Sequence, residues 1–388
     1  MELTFGLRMF FAGVCAVAVA TIYAAQPVLA QIGGDMGIPE GDLGWIVTAG
    51  QLGYLAGLVV LVPFGDIIDR RRLIGWHLLL AAVGVALAAT ATQTWLLLTG
   101  LAVAGVFAVV VQTTVAYAAA LSTPEERGRA IGVVTSGVVV GILGSRVAAG
   151  TFAAAWGWRS VYAGVAVLLV VLACLVPRVL PPDPRRERVA YVEMLNSLRD
   201  LFRDRLFVSR GLIAFFVFAS FGTLWSGLAL PLTAAPWHMS TAQIGFFGFA
   251  GLAGALGAAR AGRWADGGRA SAVTGGALAL LAASWPAIGH ISWSLVPLVV
   301  GVIVLDFAVQ AVHVSNQHLL TTAYPHRTSS VIGGYMLFYS LGSGLGATAT
   351  TAVYSVAGWT ASSTLGAIFA TCALIVWVLS RGAHRTPR

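Results

Sequence analysis

The stretch FGDIIDRRRLIG, Phe64–Gly75, sets two aspartates and three arginines between two long apolar runs that carry almost no charge. Outward from it the pattern repeats: apolar runs of membrane-crossing length alternate with short polar breaks. Only 10% of the 388 residues are charged and 58% are hydrophobic. The mean hydropathy is +0.86, whereas a soluble domain carries about 25% charged residues. A helix needs about 20 apolar residues to cross the hydrocarbon core. Twelve such runs lie near 9–32, 43–64, 73–93, 95–121, 130–155, 161–180, 209–233, 242–262, 270–290, 294–320, 330–356 and 361–380. The first is too long for a cleaved signal peptide and reads as span one. The fold class is therefore an all-α membrane protein of twelve transmembrane helices, and the opening stretch becomes the turn between spans two and three.

All 23 basic residues are arginine. Basic loops stay cytoplasmic when a helix inserts. An inside amino terminus gathers Arg8, Arg70–Arg72, Arg127, Arg129, the arginines from Arg178 to Arg210, Arg263, Arg269, Arg327, Arg381, Arg385 and Arg388 on the cytoplasmic side. Arg159 alone falls outside, and Arg146 and Arg260 fall within spans, so both termini are placed inside a bacterial-type plasma membrane. The net charge of +8 follows from orientation, helped by anionic headgroups, and calls for no nucleic-acid partner. Cys15, Cys174 and Cys372 sit in apolar runs and read as small hydrophobes rather than disulfide partners.

An internal repeat orders the chain. GDIIDR places Gly65 and Asp69 at the spacing with which GRWADG places Gly262 and Asp266, 197 positions later. WGWRS after span five is echoed by AGWTA after span eleven, Trp158 and Trp359 being 201 apart, and Gln112 and Gln310 are 198 apart. Three near-equal offsets in chain order indicate two homologous six-helix halves. The expected divisions are residues 1–180, a cytoplasmic linker with an amphipathic surface helix over 181–208, and residues 209–388.

Two parallel six-helix repeats around a midplane site is a transporter plan, and the sequence resembles the major facilitator superfamily over nearly its whole length. The loop after span two is similar to that family's Gly-x-x-x-Asp-Arg-x-Gly-Arg-Arg signature through Gly65, Asp69 and Arg70, with Arg72 where the second glycine belongs. The resemblance implies a conformational latch formed by Gly65, Asp69 and Arg70, echoed by Gly262 and Asp266. A carboxylate capping the positive end of a facing helix suits that role. Span five resembles the Gly-x8-Gly-x3-Gly-Pro-x2-Gly-Gly motif of the family's proton-coupled drug antiporters through Gly132, Gly141, Ser145, Arg146, Ala149 and Gly150. Arg146 stands where proline is expected, and no arginine occurs near Leu101, where the antiporter pattern on span four would have one. Small residues four apart equally read as close helix packing.

Intramembrane charge is the sharpest signal, because a charge at the bilayer centre costs about 3 kcal/mol or more. Of 15 acidic residues only Asp306 is deep, in span ten, and Arg146 is the only deep base, since Arg260 can snorkel. Counting 1.5 Å per residue, Arg146 lies about 24 Å and Asp306 about 21 Å from the inner ends of their spans. One belongs to each half, and the expectation is a pair at the moving seam. Asp306, Gln310, His313 and Gln317 share one face of span ten, and lipid would leave that face unsatisfied. By the resemblance, spans one, four, seven and ten line the cavity. The candidate substrate-binding set is Tyr23, Gln26, Gln112, Thr223, Trp225, Asp306, Gln310, Asn316 and Gln317, and the proton-coupling set is Asp306, Arg146 and His313. Gln112, Gln310 and Asn316 also read as interhelical hydrogen-bonding groups, and His313, Trp225 and Tyr23 as packing groups.

The sequence thus reads as a monomeric secondary active transporter that exports a drug-like or metabolite small molecule in exchange for protons. An importer or uniporter of a small organic solute with the same fold is the alternative. An enzyme is not expected: no His-Glu-x-x-His pair, Gly-x-Ser-x-Gly elbow or Walker loop occurs, so no cofactor or metal is implied.

Overall fold

The computed structural model describes residues 4–62, 64, 68–123, 126–183, 199–258, 270–291, 294–324 and 327–383. Among them there is no strand. The helices are α1 (Phe5–Tyr23), α2 (Leu29–Met36), α3 (Gly44–Val60), α4 (Arg70–Ala89), α5 (Thr94–Phe107), α6 (Val110–Leu121), α7 (Arg127–Trp156), α8 (Trp158–Val179), α9 (Arg205–Gly227), α10 (Ala229–Thr233), α11 (Thr241–Gly245), α12 (Phe247–Gly257), α13 (Ala270–Gly289), α14 (Leu295–Ala323) and α15 (Thr328–Ala383). Ten helical stretches among the described residues are long and apolar enough to cross a membrane, and Thr241–Gly257 is a shorter apolar one.

Several predicted spans are broken rather than continuous. Between α1 and α2 the backbone passes through a 3-10 turn, Gln26–Val28, where Pro27 offers no N–H to the ladder. A second interruption separates α5 from α6, and Pro231 lies in the short α10 that follows α9. Such breaks are tolerated at membrane depth where other protein groups take up the freed backbone polar groups. Polar side chains mark the starts of intact helices. Asp204 accepts from the N–H groups of Leu206 and Phe207 at 2.7 and 3.3 Å, and Ser294 from that of Val296 at 3.2 Å, each covering a donor that the first turn leaves open.

The Gly-Trp echo seen in the sequence is also an echo of backbone. Gly157 has φ 79° and separates α7 from α8, and Gly358 has φ 69° and divides α15 into two helices. Both adopt conformations that a side chain would strain. The tryptophans that follow are buried, Trp158 donating to Asp35 Oδ2 at 3.0 Å and Trp359 to the Ile288 carbonyl at 3.0 Å.

The chain forms two compact units. The first comprises Met1–Ile38, Ala49–Tyr191 and Ser240–Gly245; the second comprises Pro39–Thr48, Val192–Met239 and Phe246–Arg388. Within the first, α1 packs on α7 and α4 on both α5 and α8; within the second, α9 packs on α15 and α14 on α12 and α13. Glycine sets the closest approaches. A Cβ on Gly137 or Gly141 of α7 would strike the backbone of Ala12 or Ala16 of α1, the Gly141 position lying 2.5 Å from the Ala16 carbonyl oxygen. In the second unit, Gly342 and Gly346 of α15 meet the backbone of Phe215 and Ala219 of α9, at 2.8 and 2.9 Å from the carbonyl carbons. Helices in lipid associate by such contact, because lipid tails remove the hydrophobic drive. The segment Pro39–Thr48 packs against α15: Gly44 N–H donates to Thr351 Oγ1 at 3.0 Å and Thr48 Oγ1 to the Gly344 carbonyl at 2.9 Å. Ser240–Gly245 packs against α7, with Thr241 Oγ1 donating to the Gly150 carbonyl at 3.1 Å.

Candidate functional site

In the second unit, α14 carries Asp306 and α9 carries Trp225, respectively 4% and 3% exposed. The indole Nε1–H of Trp225 donates to Asp306 Oδ1 at 3.4 Å. An aromatic wall continues from there: Trp225 neighbours Phe221, with ring centroids 6.4 Å apart, and Phe218 meets Tyr339 at 3.9 Å and His313 at 5.3 Å. His313 Nδ1 lies 3.2 Å from the Tyr335 hydroxyl. Gln310, His313 and Gln317 are half-buried, whereas Asn316 is enclosed and lies beside Tyr335. Thr223 Oγ1 donates to the Ala219 carbonyl of its own helix at 2.9 Å.

In the first unit, α7 carries Arg146, 1% exposed. Its Nε donates to Gln26 Oε1 at 2.9 Å, and its guanidinium carbon lies 5.8 Å from the centroid of the Tyr23 ring, within cation–π reach. Gln26 belongs to the 3-10 break after α1, so the unwinding at Pro27 turns its amide toward α7. The Tyr23 hydroxyl accepts from Gln51 Nε2 at 3.4 Å, and Gln112 hydrogen-bonds Tyr54. The deep acid and the deep base thus each have a neutral hydrogen-bonding partner in their own unit, which helps to lodge charge in a low-dielectric interior. Gln51, Tyr54 and Tyr335 are not among the residues singled out from the sequence, although Thr48, Gln51 and Tyr54 recur every third position and Tyr335 and Tyr339 are four apart, spacings that put each set on one helix face.

The loop after span two is tied locally. Asp69 caps α4, accepting from Arg72 N–H at 3.1 Å. Arg70 is 3% exposed; its N–H donates to Asp183 Oδ2 at 3.1 Å, and its Nη1 lies 4.0 Å from Asp183 Oδ1. Arg71 donates to the Pro177 carbonyl, and the Tyr117 hydroxyl to that of Pro181. The Arg70 and Arg71 contacts tie the end of α8 and the residues after it to the start of α4, and the Tyr117 contact ties them to α6. Gly65, Gly262 and Asp266 of the expected latch lie outside the described residues. Of the motif on span five, Gly141 and Gly150 are packing positions, Gly150 with a would-be Cβ 2.9 Å from Gly245 Cα, while Gly132 has no atom within 4 Å of a would-be Cβ.

Arg210, expected at the cytoplasmic start of the span 209–233, is the sixth residue of α9 and only 3% exposed; the helix begins at Arg205, behind the Asp204 cap. Beyond the end of α14, burial first and then the hydrogen bond and charge of Asp204 raise the pKa of the Tyr324 hydroxyl and keep it protonated.

The family model for the Major Facilitator Superfamily matches residues 9–296. The chain belongs to the major facilitator superfamily. Among relatives within this superfamily, it is 38% identical over 385 residues to the putative uncharacterized transporter YgaY of Escherichia coli K12, covering 99% of this chain and 97% of that protein. It is 28% identical over 253 residues to the chloramphenicol resistance protein of Streptomyces lividans, covering 59% of this chain and 63% of the relative. The superfamily fold is matched by the crystal structure of a bacterial homolog to the human lysosomal transporter Spinster, inward-facing and unoccupied. The TM-score is 0.80 at 15% identity, covering 96% of each chain. The protein is therefore a multi-span membrane transporter, of a family that is generally non-enzymatic.

Proposed function

We propose that this transporter exports a drug-like or metabolite small molecule in exchange for protons, by alternating access of two six-helix bundles. The bundles are residues 1–180 and 209–388, joined by the linker 181–208. Counting the helices on either side of Gly358 separately, and Thr241–Gly257 as a span, supports twelve crossings. Arginine placement supports cytoplasmic termini in an inner membrane, and the molecule is taken to act as a monomer.

The observation that carries this reading is the burial of Asp306 among Trp225 and neighbouring aromatic rings. A carboxylate kept at membrane depth is costly unless it has work to do there, and a proton is the ligand that removes the cost. Arg146 and His313 are the other candidates for coupling, Arg146 at a depth like that of Asp306 and His313 about two turns nearer the inner end of its span. Aromatic faces and amides such as Gln26 and Gln310 suit a partly apolar organic solute, and the drug-resistance relative favours the same class. In this scheme Asp306 takes a proton from the outer side and releases it inward, and solute release accompanies protonation.

The test is transport in proteoliposomes of defined orientation with an imposed pH gradient. Asp306→Asn should lose gradient-driven transport and retain solute exchange. Wild-type gradient dependence in that variant refutes the role, and inward accumulation by the native protein refutes the direction.

A further inference from the structure

Arg8 and Arg210 occupy corresponding places in the two halves, 202 positions apart and near the starts of α1 and α9. Each is buried, at 7% and 3% exposure. Arg8 is paired, its Nη2 lying 2.9 Å from Glu126 Oε2. The repeat brings Arg327 or Thr328 to the place of Glu126, so the second unit offers no acid there. Arg210 Nε and Nη1 are enclosed and meet no acceptor among the described residues. Asp204, the nearest acid along the chain, is engaged at the α9 cap and beside Tyr324. A guanidinium left so is costly, since a buried charge needs both a counter-charge and hydrogen bonds.

The surrounding groups are donors. Arg210 lies within electrostatic reach of Tyr335. Tyr335 is fully buried, with His313 against its hydroxyl at 3.2 Å. Asn316, 0% exposed, interacts with the Tyr335 hydroxyl beside it, and neither end of its amide has a well-formed hydrogen bond among the described residues. The three side chains also share one level: Arg210 is about 8 Å along α9 from its start, Tyr335 about 11 Å along α15, and Asn316 about 11 Å from the end of α14. A planar fork, an amide N–H₂ and a phenol O–H match an oxyanion, which accepts from all three.

We infer that Arg210, Asn316 and Tyr335 form a site in the second unit for the carboxylate or phosphate group of a ligand, which takes the place that Glu126 holds in the first. The group can belong to an anionic lipid headgroup or to a soluble solute. The inference does not rest on proton coupling through Asp306, and failure of either leaves the other standing.

The test is the thermal unfolding midpoint of the purified full-length protein in non-ionic detergent, followed by tryptophan fluorescence. The probes are dihexanoyl phosphatidylglycerol, dihexanoyl phosphatidylcholine, benzoate and inorganic phosphate. A ligand that binds only the folded form raises the midpoint, here by about 2–4 °C near saturation. Phosphatidylglycerol alone raising it identifies a headgroup site; benzoate or phosphate raising it as well identifies a solute site; phosphatidylcholine should do nothing. Arg210→Gln should abolish the rise and leave the unliganded midpoint at or above that of wild type. Arg8→Gln should lower the unliganded midpoint but keep the rise. Should Arg210→Gln not fold, Asn316→Ala and Tyr335→Phe must each at least halve the rise. The inference is overturned if no anion stabilises the wild type, if phosphatidylcholine does so equally, or if the rise survives these substitutions.

Discussion

Trp225 and Asp306 stand 81 positions apart in the chain, yet the indole N–H of one donates to the carboxylate of the other at 3.4 Å, with both side chains almost fully enclosed. The contact gives a membrane-embedded acid one neutral donor and leaves its charge uncancelled by that donor. Replacing Trp225 by Phe removes the donor and keeps most of the volume. The expected cost is about 1 kcal/mol of stability, a typical net value for one hydrogen bond, read from unfolding midpoints. Replacing Asp306 by Asn keeps the shape and should reduce proton-driven transport at least about tenfold, equivalent to 1.4 kcal/mol or more in the barrier.

Gln26 offers Arg146 an acceptor, Oε1 at 2.9 Å from Nε. Gln26→Leu should destabilise the protein by about 1–3 kcal/mol, because the buried guanidinium loses that hydrogen bond. Gln26→Glu restores an acceptor and adds a counter-charge. It should keep the unfolding midpoint near that of wild type while suppressing transport, since a permanent ion pair would compete with the solute.

Asp69 caps its own helix, which allows two roles to be separated. Asparagine is as good a cap as aspartate, and alanine is not. Asp69→Ala should therefore lower stability by about 1 kcal/mol, whereas Asp69→Asn should not. If the carboxylate also serves as a latch, both variants should slow the transport cycle without changing solute affinity. A collapse of affinity in Asp69→Asn would remove the latch role.

Gly342 lies against the backbone of Phe215, whereas a would-be Cβ on Gly132 meets nothing within 4 Å. Gly342→Val should destabilise by about 1–3 kcal/mol or more through overpacking. Gly132→Ala should be neutral or stabilise by up to about 1 kcal/mol, as alanine is the better helix former. Parallel unfolding measurements on the two variants check whether the motif on span five is a packing device only where its glycines meet another helix.

The family and the helical character were legible because the physics of crossing lipid writes itself into composition: runs of about 20 apolar residues leave few alternatives. The repeat was legible at Gly157-Trp158 and Gly358-Trp359 because a positive φ followed by a buried, donating indole restricts residue choice at both places. Trp225 could be named together with Asp306 because the resemblance sets their two spans, seven and ten, around one cavity. The partner of Asp69 could not, because a capping carboxylate and a carboxylate facing another helix look the same in sequence. The burial of Arg210 was hidden for a related reason. It ends a run of charged residues, and only the helix start at Arg205 shows that the last arginine of that run is already enclosed. Gln51 and Tyr54 share a face with Thr48 at spacings of three, but their partners Tyr23 and Gln112 lie on other helices, and spacing along one helix does not name them.

Each compact unit borrows a short piece from the other half of the sequence: Ser240–Gly245 belongs to the first and Pro39–Thr48 to the second. On a ribosome the first unit therefore stays unfinished until residue 245 has been made, although every other part of it emerged before residue 192. A gene cut between Tyr191 and Val192 would yield two fragments, neither of which encodes a whole unit. Such fragments should accumulate only when expressed together, which makes biogenesis of the two halves mutually dependent rather than sequential.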